Sequence, residues 1–257
     1  MQQAATAAPI ASRVSLIPVL SDNYVFVLHG DQPGPAVVVD PAVAEPVITW
    51  LEQRQLELTA ILHTHHHHDH IGGTPQLLQH WPQAAVIASS ADLARIPLQT
   101  QGVRGGDRFE LLGRSVQVID VPGHTAHHIA FYLAPAGGDS GHLFCGDTLF
   151  AGGCGRLFEG TPEQMHRSLQ QLAALPGPTQ VWCAHEYTAG NLRWAAAEAP
   201  TDRAISERLT TTLALREQEQ PTLPSTIALE RATNLFVRAE SPEVLRHLRG
   251  HKDLWKG

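Results

Sequence analysis

The sequence predicts an α/β domain over residues 1–187, followed by a helical domain over residues 188–257. Three observations predict it. Short apolar, β-branched runs dominate the chain as far as "TQVWCAH" at 179–185. Histidine or aspartate follows several of those runs directly, at the strand ends where α/β folds build their sites. After Tyr187 the strand signals stop, and the remainder carries helical periodicity.

The elements follow in order. "RVSLIPV" (13–19), "YVFVLH" (24–29) and "AVVVD" (36–40) read as consecutive strands. "EPVITWLEQRQ" (45–55) sets Val47, Ile48 and Leu51 on one helical face. "TAILHT" (59–64) reads as a strand that includes His63. "TPQLLQHW" (74–81) reads as a helix entered after Gly72 and Gly73. "AAVIAS", "RFELL", "SVQVIDV", "HIAFYLA" and "HLFCGD" read as further strands. Thr161, Pro162 and Gln164 form a helix start with a capping box. Met165, Leu169, Leu172 and Leu175 make that helix's apolar stripe, which is core packing. In the tail, "NLRWAAAEA", "DRAISERLTTTLALREQEQ" and "PEVLRHLRGHKDLW" read as helices, and Ser225 as a cap in the segment linking the last two. So short and amphipathic a tail is expected to pack onto the first domain.

Composition narrows the function. A net charge of −7 without a long basic run argues against nucleic acid as a partner. No apolar run approaches the roughly 18–20 residues of a membrane span. "MQQAATAAPIAS" lacks the charged and apolar regions of a signal peptide. Cys145, Cys154 and Cys183 are odd in number and widely spaced, which suits buried thiols in a reducing compartment, so a cytoplasmic location is expected. A monomer is expected.

Sixteen histidines are the outlier, and they cluster. His65-X-His67-X-Asp69-His70, His124, Asp147 and His185 each lie just after a predicted strand. In an extended segment, residues two apart point to the same side, so His65 and His67 can share one metal. Asp69 and His70 then face a second. Imidazole and carboxylate without a cysteine pair suit Zn2+, Fe2+ or Mn2+ in an open, catalytic site. Asp147 is able to bridge two such metals. His66 and His68 interleave the ligands and are expected to face away. His127, His128, His142, His166, His247 and His251 are left as packing or surface residues. Asp40, at the end of "AVVVD", is a candidate to fix a ligand histidine from behind.

"THHHHDHIGG" resembles the metal-binding signature of the metallo-β-lactamase superfamily, and "PGHT", "GDTLF" and "HEYT" continue the resemblance. The superfamily implies an αββα sandwich with a two-metal site at one edge. "DNYVFVL", "GDTLFAGGCGRLFEGTPEQM", "CAHEYTAGNLRWA", "PSTIALERATN" and "LRGHKDLW" extend it to the hydroxyacylglutathione hydrolase (glyoxalase II) family, over nearly the whole chain. That resemblance implies His65, His67 and His124 on one metal, Asp69, His70 and His185 on the other, and Asp147 bridging. It implies two divalent ions, Zn2+ first, with Fe or Mn as alternatives. It implies that Arg156, Phe158, Tyr187, Arg249 and Lys252 grip glutathione. Arg156 stands where the family usually has Lys, which keeps the charge. Phe158 stands where Tyr is common, which loses a hydroxyl. Without the resemblance, Arg249 and Lys252 read as a solvated helix face.

The implied reaction is hydrolysis of an S-(2-hydroxyacyl)glutathione, with S-D-lactoylglutathione first, as the second step of methylglyoxal detoxification. A hydroxide bridging two metals is the implied nucleophile, and Asp69 and Asp147 are the implied catalytic carboxylates. No G-x-S-x-G elbow competes with it. The nearest rival is a persulfide dioxygenase of the same superfamily, with one iron on two His and one Asp. A non-enzymatic metal-binding protein is the other. It would need only the local histidine run, not ligands dispersed over the chain.

Overall fold

The structure, a computed structural model, describes residues 13–96 and 98–256. The N-terminal "MQQAATAAPIAS", read as lacking a signal peptide, lies outside the described residues. The first sheet has six strands in sequential order: β1 (Arg13–Val19), β2 (Asn23–His29), β3 (Gly34–Val39), β4 (Leu56–Leu62), β5 (Ala85–Ser89) and β6 (Gln101–Val103). β1 to β3 pair antiparallel, and β3 to β6 parallel. The parallel steps need crossovers, and α1 (Glu45–Glu52), α2 (His68–Ile71) and α3 (Thr74–His80) lie within two of them.

The second sheet is built from β7 (Arg108–Leu111), β8 (Arg114–Asp120), β9 (Ile129–Leu133) and β10 (His142–Gly146). A small hairpin, β11 (Leu149–Phe150) with β12 (Gly153–Cys154), precedes α4 (Pro162–Ala173) and β13 (Gln180–Cys183). α5 (Thr188–Glu198), α6 (Arg203–Glu217), β14 (Ser225–Thr226), α7 (Ile227–Thr233) and α8 (Pro242–Leu254) complete the chain. The order in the second sheet is β14-β13-β10-β9-β8-β7.

β2 explains why two sheets stack. Val25 and Val27 face one way and pack with Val47, Leu51 and Leu77 of the helices outside. Phe26 and Leu28 face the other way, into the space between the sheets. There Phe26 meets Phe144 and Trp182 of the second sheet, with ring centroids 5.8 and 5.5 Å apart. A strand buried on both faces reads as a continuous apolar run, as "YVFVLH" does. With helices on the outer faces, the αββα order is complete. The capping box of α4 forms as its sequence requires.

Several boundaries differ from the sequence reading, each for a local reason. The strand read over 59–64 ends at Leu62, because Thr64 turns its amide and hydroxyl onto the Asp40 carboxylate. His63 therefore lies past the strand, buried against Thr74. The first helix ends at Glu52, and Gln55 takes a left-handed conformation with φ 53°. Ser225 is not a cap: Thr226 caps α7, and Ser225 sits in β14, a short strand in the tail where none was expected.

Candidate metal centre

Every candidate ligand leaves the fold at one edge. Asp40 follows β3, the histidine run follows β4, and His124 lies in the loop after β8. Asp147 follows β10 and His185 follows β13. The run itself splits. His65 and His67 lie in the extended approach, with His67 at φ −63° and ψ 145°, and α2 then starts and turns Asp69 and His70 inward. A four-residue helix is too short to announce itself by periodicity.

Two groups of ligand atoms result. His65 Nε2 lies 3.1 Å from His67 Nδ1, which lies 3.0 Å from His124 Nε2. Asp69 Oδ2 lies 3.6 Å from His70 Nε2 and 3.5 Å from His185 Nε2. Asp147 stands between them. Its Oδ1 is 3.4 Å from both His70 Nε2 and His185 Nε2, and its Oδ2 is 3.4 Å from His124 Nε2. Four ligands at about 2.0–2.2 Å in a tetrahedron stand roughly 3.3 Å from one another, so these separations suit a cation held between them. Asp40, His65 and His70 also fall within mutual reach, but Asp40 already accepts from Thr64 and from His70 Nδ1.

The far side of each ring decides which nitrogen faces the centre. His70 Nδ1 donates to Asp40 Oδ2 at 3.1 Å, and His185 Nδ1 to Asp22 Oδ1 at 2.8 Å. His124 Nδ1 donates to the Arg156 carbonyl at 2.9 Å. Thr64 Oγ1 spends its proton on Asp40, which leaves it to accept from His65 Nδ1 at 3.1 Å. In all four rings the proton belongs on Nδ1, and the Nε2 lone pair points into the site. His70 Nε2 and Asp147 Oδ1 are buried there without a hydrogen-bond partner. Such orphans are costly unless something occupies the space between them.

Charge points the same way. Among the described residues, Asp40, Asp69 and Asp147 have no ion-pair partner except histidine. Burial holds His65 well below the ordinary imidazole range and, with His124, brings His67 down to about 4. Burial lowers His124 as well. Neutral imidazole is the form that ligates. Burial also opposes a charge on His70 and His185, but the Asp147 carboxylate outweighs it and raises both. Burial would raise Asp147, and those two rings hold it far below the carboxylate range instead. The centre attracts positive charge, as protons or as a metal.

The histidines left aside on sequence sort themselves. His68 is exposed, and His66 meets Arg95 at 3.3 Å. His128 has a role the sequence did not signal: its ring stacks on His65 at 4.6 Å, and its Nε2 accepts from the Asp147 amide. Asp22 and Asn23 were part of a family-like stretch with no assigned role. Asp22 orients His185, and Asn23 Nδ2 donates to Asp69 Oδ2 at 3.0 Å. Their signal was a polar turn between two apolar strands, facing the site edge.

A cavity of about 720 Å³ opens over the centre. His67, Asp69, His124, Asp147 and His185 line it, while His65 and His70 lie beneath, fully buried. All five residues expected to meet glutathione line it too. Phe158 is 63% exposed and stands edge-on to His124, and Tyr187 stacks on His185 with centroids 4.7 Å apart. Arg156 is mostly exposed, 3.6 Å from Asp253. Arg249 is not on a solvated face: it is 5% exposed, donating to the Cys154 carbonyl and to Asp253. Lys252 is bound to Asn191 Oδ1.

Comparison with known proteins gives the family. The family model for the metallo-β-lactamase superfamily matches residues 18–185, and that for the hydroxyacylglutathione hydrolase C-terminus matches residues 186–256. A hydroxyacylglutathione hydrolase of Synechococcus sp. (strain WH7803) is 59% identical over 248 residues, 95% of this chain and 96% of that one. The chain belongs to the hydroxyacylglutathione hydrolase family of the metallo-β-lactamase superfamily. Among solved structures, ETHE1 from Myxococcus xanthus is similar with a TM-score of 0.69 and 26% identity, over 95% of this chain and 92% of that one. TTHA1623, solved in a di-iron-bound form, is similar with a TM-score of 0.60 and 25% identity, over 87% and 99%. Membership accounts for the tail, which the second family model covers, as well as for the sandwich. Among the described residues no helix is long and apolar enough to cross a membrane.

Proposed function

We propose that this chain hydrolyses S-(2-hydroxyacyl)glutathione thioesters, S-D-lactoylglutathione first among them, to glutathione and the free 2-hydroxy acid, the second step of methylglyoxal detoxification. One observation carries it: two groups of ligand atoms share Asp147 on the floor of a cavity whose wall is supplied by the tail. Two relatives from Synechococcus, 59% and 56% identical, are named hydroxyacylglutathione hydrolase, which supports the reading.

His65, His67 and His124 would hold one divalent ion, and Asp69, His70 and His185 the second, with Asp147 between them. The donor set favours Zn2+, with Fe or Mn as alternatives. When bound, such ions supply a nucleophilic hydroxide at neutral pH and polarise the thioester carbonyl. The chain's own residues do the rest. Asp69 sits at the cavity lining and orients the attacking water, itself held by Asn23. Arg156 and Lys252 meet the carboxylates of glutathione, and Phe158 and Tyr187 flank its backbone. The leaving thiol has an ordinary pKa near about 8.5, so its expulsion as thiolate needs no acid group close by. Arg249 acts through the wall it supports rather than as a free anchor.

The test is metal stoichiometry on the purified chain, with thioester hydrolysis assayed beside oxygen uptake on glutathione persulfide. Two ions per chain and hydrolysis are expected; one iron with oxygen uptake would overturn the reading in favour of a dioxygenase. Asp147→Ala should lose metal and hydrolysis together, because both groups of ligands face that carboxylate. A variant with full metal content and normal turnover would sink the assignment.

A further inference from the structure

The hairpin of β11 and β12 links Asp147 to the cavity wall. It starts just after Asp147 and runs out through Gly155 to Arg156 and Phe158. Its own pairing is two residues long. Five of its backbone groups are met instead by side chains from the tail. Asn234 Nδ2 donates to the carbonyls of Phe150 and Gly153, at 3.2 and 2.9 Å. Glu230 Oε2 accepts from the Gly152 amide at 2.9 Å. Asn191 Nδ2 donates to Ala151 O, and Arg249 to Cys154 O. All four side chains are at least nine-tenths buried.

The two ends of the hairpin are held differently. On the incoming side the α/β domain does the work: the Asp147 amide donates to His128, and Thr148 Oγ1 to the Val121 carbonyl. On the return side the tail meets Gly152, Gly153 and Cys154, and beyond them His124 takes over, its Nδ1 donating to the Arg156 carbonyl and its carbonyl accepting from the Phe158 amide. Glu230 is itself fixed by Arg208 at 2.6 Å, by Ser225, and by Asn234 at 2.9 Å. This network is buried and charged; Arg208, Ser225, Glu230 and Asn234 themselves do not line the cavity, and Asn234 meets the lining at the Phe150 carbonyl. A satisfied buried network specifies one arrangement; a half-satisfied one does not.

We propose that the buried Glu230–Asn234 pair at the C-terminal end of α7 is a positioning device whose hydrogen bonds to the hairpin set where Arg156 and Phe158 stand, and with them the affinity for the glutathione thioester. The inference rests on the proposed substrate. Glu230 and Asn234 act through the hairpin and take no part in the chemistry. They also give "PSTIALERATN" a function: its Ser225, Glu230 and Asn234 form the network together with Arg208.

The experiment compares Asn234→Ala and the near-isosteric Glu230→Gln with Thr233→Val, all in the full, metal-loaded chain. Thr233 lies on the same helix and bonds Arg208 and the Leu229 carbonyl, with no bond to the hairpin. For the first two variants, KM for S-D-lactoylglutathione should rise about tenfold, the effect of roughly one lost hydrogen bond in placement. Their kcat and metal content should hold, and backbone exchange over Gly155 to Phe158 should quicken. Thr233→Val should melt earlier with KM and exchange unchanged. If Asn234→Ala does not fold, Glu230→Gln carries the comparison. Unchanged KM and exchange in folded Glu230→Gln would overturn the proposal. So would metal lost in step with activity, or an equal KM rise in Thr233→Val. A wild-type chain without thioester hydrolysis would instead remove the proposed function, and the exchange measurement would still decide the positioning role.

Discussion

At Lys252 burial, followed by the charge of Arg249, pulls the ammonium from its usual 10.5 down to about 8. Below that value the group is charged and can meet a glutathione carboxylate; above it the anchor fades. KM for the glutathione thioester should therefore climb as pH rises through about 8, with kcat level. Lys252→Arg, charged throughout, should flatten the climb. A pH series of KM checks this, and an inflection unchanged in the arginine variant would refute it. Stability runs in the opposite direction. The unfolded chain binds this proton up to 10.5 and the folded chain only to about 8, so the group adds stability as pH rises across that window. At this scale the ligand types and spacings were legible, because metal chemistry restricts them to a few side chains. Asp22, Asn23 and His128 were not. Their roles depend on which strands lie side by side, and no spacing within the chain encodes that.

Three loops are tied together through Arg95 and its partner Glu159. Arg95 donates to Asp92 Oδ1 at 2.9 Å from Nε, to Glu159 at 2.6 Å and to His66 at 3.3 Å. Glu159 also accepts from the Ala126 amide at 2.7 Å. The loops so tied carry His65 and His67, His124, and Phe158. Asp92 is fully buried, so Arg95→Ala leaves a carboxylate without its cation. Losing a buried partner costs about 3–5 kcal/mol, and the one-third exposure of the Arg95 side chain reduces that to about 2 kcal/mol here. Urea unfolding measures it; a change within about 0.5 kcal/mol would mean the loops hold without the clamp. Elements with a strong period were legible in sequence: β2, α4 and α8 fall within a residue or two of where their patterns put them. The two-residue strands and α2 were not, since four residues or fewer cannot display a period. Their existence follows from what packs around them.

Across the whole molecule one apolar cluster joins the sheets to the tail. Phe26, Phe131 and Phe144 belong to the same cluster as Trp194, Ile205, Phe236 and Leu245. Trp194 stacks on Phe236 with centroids 5.0 Å apart, and both are completely buried. β14 hydrogen-bonds to β13, so the tail also extends the second sheet. The boundary proposed near residue 187 thus divides roles more than it divides packing. Residues beyond it complete a surface that would otherwise expose the apolar side of β13 and the unsatisfied backbone of the β11–β12 hairpin. Independent domains melt separately, whereas a shared core couples them into one transition. Calorimetry of the metal-loaded chain should show a single peak, with calorimetric and van't Hoff enthalpies equal. A chain ended after Tyr187 should fail to reach a cooperative fold, since burial lost with the tail is large against the 5–15 kcal/mol that holds a domain together. Two resolved transitions in the full chain, or a cooperative melt in the shortened one, would show that the helices are an appendage and not part of the core.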